Sequence, residues 1–269
     1  MRRNIYDILN DEKIDLRVEY ERLYVLFYVW KHEINQWETL SLNECVEQHF
    51  NLFSKTFRRR CISLDDFNMY YGYVFTEEPE EIDIEYIVRF AEYTTNLCIQ
   101  VMCCRDFAIQ RLAAKYLEHC KDCMEFLGFE RVNKENIYLF VEKNPVVSAV
   151  AEITNKDLAY SVMEYNHHRL KGDLATKKSI LKMMYEDIEP CQRVLNDVNK
   201  SLKSDLFQLM NKFVRHNNND NKFIQSLNDK QLESICDDIY QMWLLAKMEI
   251  DQVERNKRMK IILEAVNAK

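Results

Sequence analysis

Leu202-Lys203-Ser204-Asp205-Leu206-Phe207-Gln208-Leu209-Met210-Asn211-Lys212-Phe213 decides the fold class. Leu202, Leu206, Leu209 and Phe213 recur at i, i+4, i+7 and i+11, a stripe that only a helix places on one face. The pattern repeats outward in both directions. Upstream, Asp173 is placed to cap a helix running to Glu189, where Pro190 intervenes. Before it, Thr154-x-x-Asp157 resembles a capping box opening a helix with Leu158, Val162 and Tyr165 on one face, broken at Gly172. Downstream, a last helix starts after Asn228 or Asp229. It carries Leu232, Ile235, Ile239, Met242, Trp243 and Leu245 before a charged tail from Asp251.

The N-terminal half reads the same way. Tyr20, Tyr24, Phe27, Tyr28 and Trp30 are spaced for a buried helix over Glu19 to Glu33, and a second helix over Leu42 to Phe57 turns Cys45, Phe50 and Phe53 inward. An acidic loop, Glu77 to Glu85, is broken by Pro79. A long helical run from Ile84 to Leu127, interrupted near Arg105, stops at Gly128. Beyond it, Ile137-Tyr138-Leu139-Phe140-Val141 is the best strand candidate, and Val146 to Ile153 reads either as extended or as a helix start after Pro145. The expected architecture is all-α, one or more helical bundles with one short extended or β element near residues 137–148. An N-terminal helical subdomain would span 1–128 and a C-terminal bundle 129–269.

Composition agrees. Three glycines and three prolines in 269 residues fall far below the usual shares of about 7% and about 5%, and both residues punctuate strands and turns. The same scarcity excludes Walker and dinucleotide phosphate loops, which need several clustered glycines. A net charge of -7 gives no global attraction to nucleic acid or anionic lipid. No secretory leader and no membrane span is readable, so no membrane partner is expected. Nine cysteines, an odd number, argue for a reducing, cytoplasmic setting.

Few residues offer chemistry. His119-Cys120-x-x-Cys123 with Cys103-Cys104 looks superficially like a zinc site, but no knuckle is present and the cysteines read as core; no metal or cofactor is implied. Arg58-Arg59-Arg60 could bind phosphate, or could complement a helix C-terminus. Adjacent His167 and His168 diverge on a helix and cannot share one metal. No nucleophile elbow, HExxH or calcium loop occurs. The remaining feature is Arg215-His216-Asn217-Asn218-Asn219-Asp220-Asn221. As a helix end it would cap carbonyls. As a site, Arg215 would hold a phosphate bidentately and His216 would move a proton, the pair cleaving RNA through its 2′-hydroxyl.

Tyr165-Asn166-His167-His168, Lys171-Gly172-Asp173, Arg215-His216-Asn217-Asn218 and Tyr240-Gln241-Met242-Trp243-Leu244-Leu245 together resemble, over about residues 130–260, the HEPN-like helical domains of bacterial phage-defence and abortive-infection proteins. That resemblance implies a four- or five-helix bundle that often dimerises and, in many members, a metal-independent RNase using an Arg followed, after four to six intervening residues, by a His. After Arg215 those positions are Asp220, Asn221 and Lys222. The expected site is therefore Arg215 and His216 as catalytic residues, with Asn217, Asn218, Lys222 and His168 binding. Two readings stay open: a bacterial cytoplasmic RNA-binding protein or RNase, and a non-enzymatic helical module that dimerises or binds a partner protein through its aromatic N-terminal helices.

Overall fold

The computed structural model describes residues 15–215 and 222–267. The chain forms two compact units, residues 1–142 and 143–269.

In the first unit α1 (Leu16–Tyr24) starts at Asp15, whose carboxylate accepts the Arg17 N–H, and runs into a π-helical segment, Val25–Val29. The helix expected to Glu33 ends there. β1 (Lys31–Asn35) and β2 (Glu38–Ser41) follow as an antiparallel hairpin, and the Asn35 side chain accepts the Trp37 N–H across the turn. Asn thus supplies the turn chemistry that glycine ordinarily would. Ser41 and Glu44 make a full capping box for α2 (Leu42–His49). The helix expected to continue to Phe57 instead passes through a 3-10 turn, Phe50–Leu52, and restarts as α3 (Lys55–Arg58) under a Ser54 cap. α4 (Leu64–Tyr71) ends on left-handed Gly72.

The long run predicted from Ile84 is two helices, α5 (Ile84–Val101) and α6 (Phe107–Phe126), each capped by an aspartate, Asp83 and Asp106. Their packing, with Tyr20 and Phe27 against Phe90 and Phe27 against Tyr116, makes an aromatic core that Phe50 and Phe67 extend. Gly128 (φ +85°) releases the chain into β3 (Phe129–Lys134), paired with β4 (Ile137–Glu142). The two loop residues, Glu135 and Asn136, both have positive φ (53° and 66°), the geometry of a primed two-residue turn. Asn96 on α5 bonds both the N–H and the carbonyl of Tyr138, and Glu92 accepts the Phe140 N–H. The hairpin therefore belongs to the first unit, and the boundary lies after Glu142 rather than near Gly128.

Among the described residues every regular element of the second unit is a helix: α7 (Pro145–Glu152), α8 (Lys156–Glu164), α9 (Leu174–Ile188), α10 (Gln192–Val198), α11 (Lys200–Met210), α12 (Lys222–Ser226) and α13 (Asp229–Asn267), with short 3-10 turns at His168–Leu170 and Glu189–Cys191. Pro145 sits in the first turn of α7, where its missing N–H costs nothing. The extended stretch stops at Glu142, so Val146 to Ile153 is the helical option. α8 is capped by Asn155, not by Thr154, whose hydroxyl bonds back to the Val150 carbonyl. Asp173 caps α9 as its position predicts. A π-helical segment, Asn211–Arg215, extends α11. Leu181, Met184, Leu206, Met210, Ile239, Tyr240 and Trp243 are fully buried at the centre. The tail expected from Asp251 is no tail: α13 continues as helix to Asn267.

Candidate functional site

Arg215 is described; His216, Asn217 and Asn218 lie outside the described residues. The Arg215 guanidinium donates to the Tyr185 hydroxyl (2.9 Å) and to the Asn211 side chain (3.4 Å). It lies 4.6 Å over the Tyr185 ring and 3.8 Å from the Glu189 carboxylate. Tyr185 itself donates to Glu189 (3.1 Å). Burial raises the Tyr185 pKa, as does its bond to Glu189, while Arg215 opposes both. Arg215 is thus tied into a cation–π and ion-pair cluster on its own helical unit. Lys222 is exposed on α12.

His168 stands at the start of a 3-10 turn rather than inside a helix. His167 precedes that turn with extended backbone, so the two imidazoles do not diverge: their rings lie 4.2 Å apart, tilted by 40°. Of the four cysteines expected in the core, Cys104, Cys120 and Cys123 are buried and Cys103 is exposed. Cys120 is fully buried with its sulfur 3.6 Å from the Thr95 hydroxyl, Cys123 lies against Glu19, and burial pushes the Cys120 thiol up to about 12. A thiol held that high is neither nucleophile nor ready ligand. Arg58 donates to the Cys61 carbonyl and Arg59 occupies a positive φ, 54°, so the triple-arginine run closes a tight turn. Of the aromatics expected to be buried in the N-terminal helix, Tyr20 and Phe27 are core, Tyr24 and Tyr28 are partly buried against it, and Trp30, past the helix end, is 58% exposed; Tyr20 meets Phe90 edge to face at 5.1 Å.

The residues with most structural consequence lie on α13, which the sequence reading followed only to Leu245. Its inner face is anchored at successive turns. Lys177 on α9 is buried and its ammonium donates to Glu233 and Asp237, both at 2.8 Å; Glu233 also accepts the Gly172 N–H (2.8 Å). Burial pushes the Lys177 pKa down, but the bonds to Asp237 and Glu233 outweigh it and leave it above the ordinary lysine value. The Gly172 N–H and the Lys177 ammonium hold the Glu233 carboxyl below its usual range. Tyr240 stacks on Tyr165 (4.1 Å, 5°) and donates to the Val162 carbonyl; the Trp243 indole donates to the Met184 carbonyl; Lys247 pairs with Asp187 at 2.8 Å. These bonds leave the rotation of the helix about its axis determined.

The outer face is built differently. Leu245, Met248, Gln252, Arg255, Met259, Ile262 and Val266 follow alternating spacings of three and four, the heptad rhythm of a helix seam. At about 100° per residue this seam points roughly 140° away from the buried stripe of Cys236, Ile239, Tyr240 and Trp243. Its apolar members are exposed, from 42% at Met248 to 65% at Val266, with Leu263 beside them. From Glu254 to Asn267 every residue is exposed. Fourteen helical residues without tertiary packing are marginal in water, since most helical stability in proteins comes from a packed apolar face. Among known proteins, no family model, no curated sequence and no solved structure matches this chain.

Proposed function

We propose that this chain is a non-enzymatic helical association module whose contact surface is the outer face of α13. The observation that supports it is the second apolar seam, in heptad rhythm, on a helix whose other face is already fastened to its core. Scattered exposed apolar residues are ordinary; apolar pairs repeated at both ends of one seam mark a surface for association. The alternative, a defence-related RNA-binding protein or metal-independent RNase built on Arg215 and His216, draws less support from the geometry. The Arg215 guanidinium is engaged by Tyr185, Asn211 and Glu189.

Two assays on the purified chain separate the readings. Sedimentation of the wild type is compared with Met259→Glu/Ile262→Glu, and RNA cleavage in EDTA is compared with Arg215→Ala. We expect association that the double glutamate variant abolishes at unchanged helicity, and no cleavage. Cleavage by the wild type that disappears in Arg215→Ala would overturn the association reading.

A further inference from the structure

Which helix covers the seam follows from its own residues. The seam has an apolar pair at each end, Leu245 with Met248 and Met259 with Ile262, and a polar middle, Gln252 and Arg255. A helix of this pattern is complementary to itself when reversed. Set antiparallel about a two-fold axis midway between Gln252 and Arg255, Leu245 meets the partner's Ile262 and Met248 meets the partner's Met259. Gln252 then meets the partner's Arg255, a hydrogen-bonding pair. The flanking positions agree in charge: Asp251 falls opposite the partner's Arg258, and symmetry makes that pair twice. Run parallel in the same register, Arg255 would face the partner's Arg255, and Arg258 would face the partner's Leu263. Buried like charges oppose that arrangement.

We infer that the outer face of α13 is covered by a second copy of this chain, its helix packed antiparallel with Leu245 on the partner's Ile262 and Asp251 on the partner's Arg258. The inference rests on the association reading and adds its partner, direction and register. Pairing would also pack the otherwise bare last turns of α13, since Met259, Ile262 and Val266 all lie on the seam. Asp251 already holds Arg255 within the helix, so its carboxylate is oriented at the seam's edge before a partner arrives.

The test is a charge swap read by sedimentation on the full chain, with helicity checked by circular dichroism. Arg258→Asp alone and Asp251→Arg alone each place like charges opposite one another twice, and we expect each to weaken dimerisation roughly tenfold. Combined in one chain, the two changes restore opposite pairs in an antiparallel dimer only, and affinity should return to within about threefold of wild type. Ile262→Glu, on a turn outside the folded core, serves as a variant that cannot unfold the unit and should abolish the dimer. Weakening without restoration in the double variant would overturn the antiparallel register. A dimer indifferent to Ile262→Glu would overturn this face as the interface. A wild type that stays monomeric at every concentration would overturn the second copy as the occupant. That last outcome would overturn the association reading as well, whereas weakening without restoration removes the register and leaves that reading standing.

Discussion

α5 and α13 are both long helices, yet they solve opposite problems. α5 has 18 residues, of which twelve are buried, so apolar and small polar groups surround it on nearly every side. α13 has 39 residues, of which six are buried, and those six lie in its first half on one stripe. A helix buried all round has no surface left to offer. A helix held on one side by Trp243 and Tyr240 can carry a second, independent pattern on the other. The difference separates residues that make the fold from residues that use it.

Substitutions should divide along that line. The largest effect is expected for Trp243→Ala, which removes a fully buried indole and its bond to the Met184 carbonyl. It should cost about 3–5 kcal/mol in denaturant unfolding of the second unit. A shift near zero would mean that the inner face does not hold α13.

Next comes Lys177→Met, which strips two carboxylates of their shared cation. A loss of about 2–3 kcal/mol is expected, partly recovered when Asp237→Asn is added, because the unpaired charge rather than the missing bond carries most of the penalty. Without recovery in that cycle, the cluster would not be an electrostatic unit.

The same cluster gives a pH dependence with a definite sign. Glu233 has its folded pKa below the ordinary 4.5, so its contribution is fully present above that value and is lost as pH falls through the folded pKa. Lys177 has its folded pKa above the ordinary 10.5, so its contribution holds below that value and disappears as pH rises through the folded one. Glu233→Gln should therefore flatten the acid limb of a stability–pH profile and move the alkaline limb to lower pH, because Glu233 helps hold the Lys177 pKa up.

The smallest effect on folding is expected at the seam. Met259→Glu/Ile262→Glu in dilute protein should leave unfolding within about 0.5 kcal/mol of wild type, since neither side chain touches the core. A larger loss would place those residues in the fold rather than on its surface.

The helices were largely legible because apolar spacing and caps coincide: Asp173 stands one residue before a helix, as its chemistry requires, and Asp83 and Asp106, not singled out in the sequence, do the same. The mostly helical class followed from the same signals. The hairpins were less legible. Glycine scarcity argued against tight turns, yet Asn35 closes one hairpin with its side chain, and Glu135 and Asn136 adopt left-handed backbone to close the other. A Lys-Glu-Asn turn carries no strong signature, because it is the strand register on each side that enforces its conformation.

The candidate site was legible only in part. Arg215 stood out as an isolated cation beside asparagines, but nothing in sequence brings Tyr185 beneath it, a neighbour thirty positions away. Asp237 is followed by a second acid, Asp238, and the divergence of adjacent side chains on a helix is what lets Asp237 face Lys177. The outer seam was hidden by its own composition. Arg255, Lys257, Arg258 and Lys260 make residues after Asp251 look like a solvated tail, and the 3-4 rhythm emerges only when Leu245 and Met248 are joined to Met259 and Ile262.

Amide hydrogen exchange over residues 254–267, followed as protein concentration is raised, tests the central claim most directly. If the outer face of α13 is covered by a partner helix, these amides exchange quickly when the chain is dilute and become protected as it associates, while Met259→Glu/Ile262→Glu stays fast throughout. Protection that is the same at every concentration, or that survives the double substitution, would contradict it.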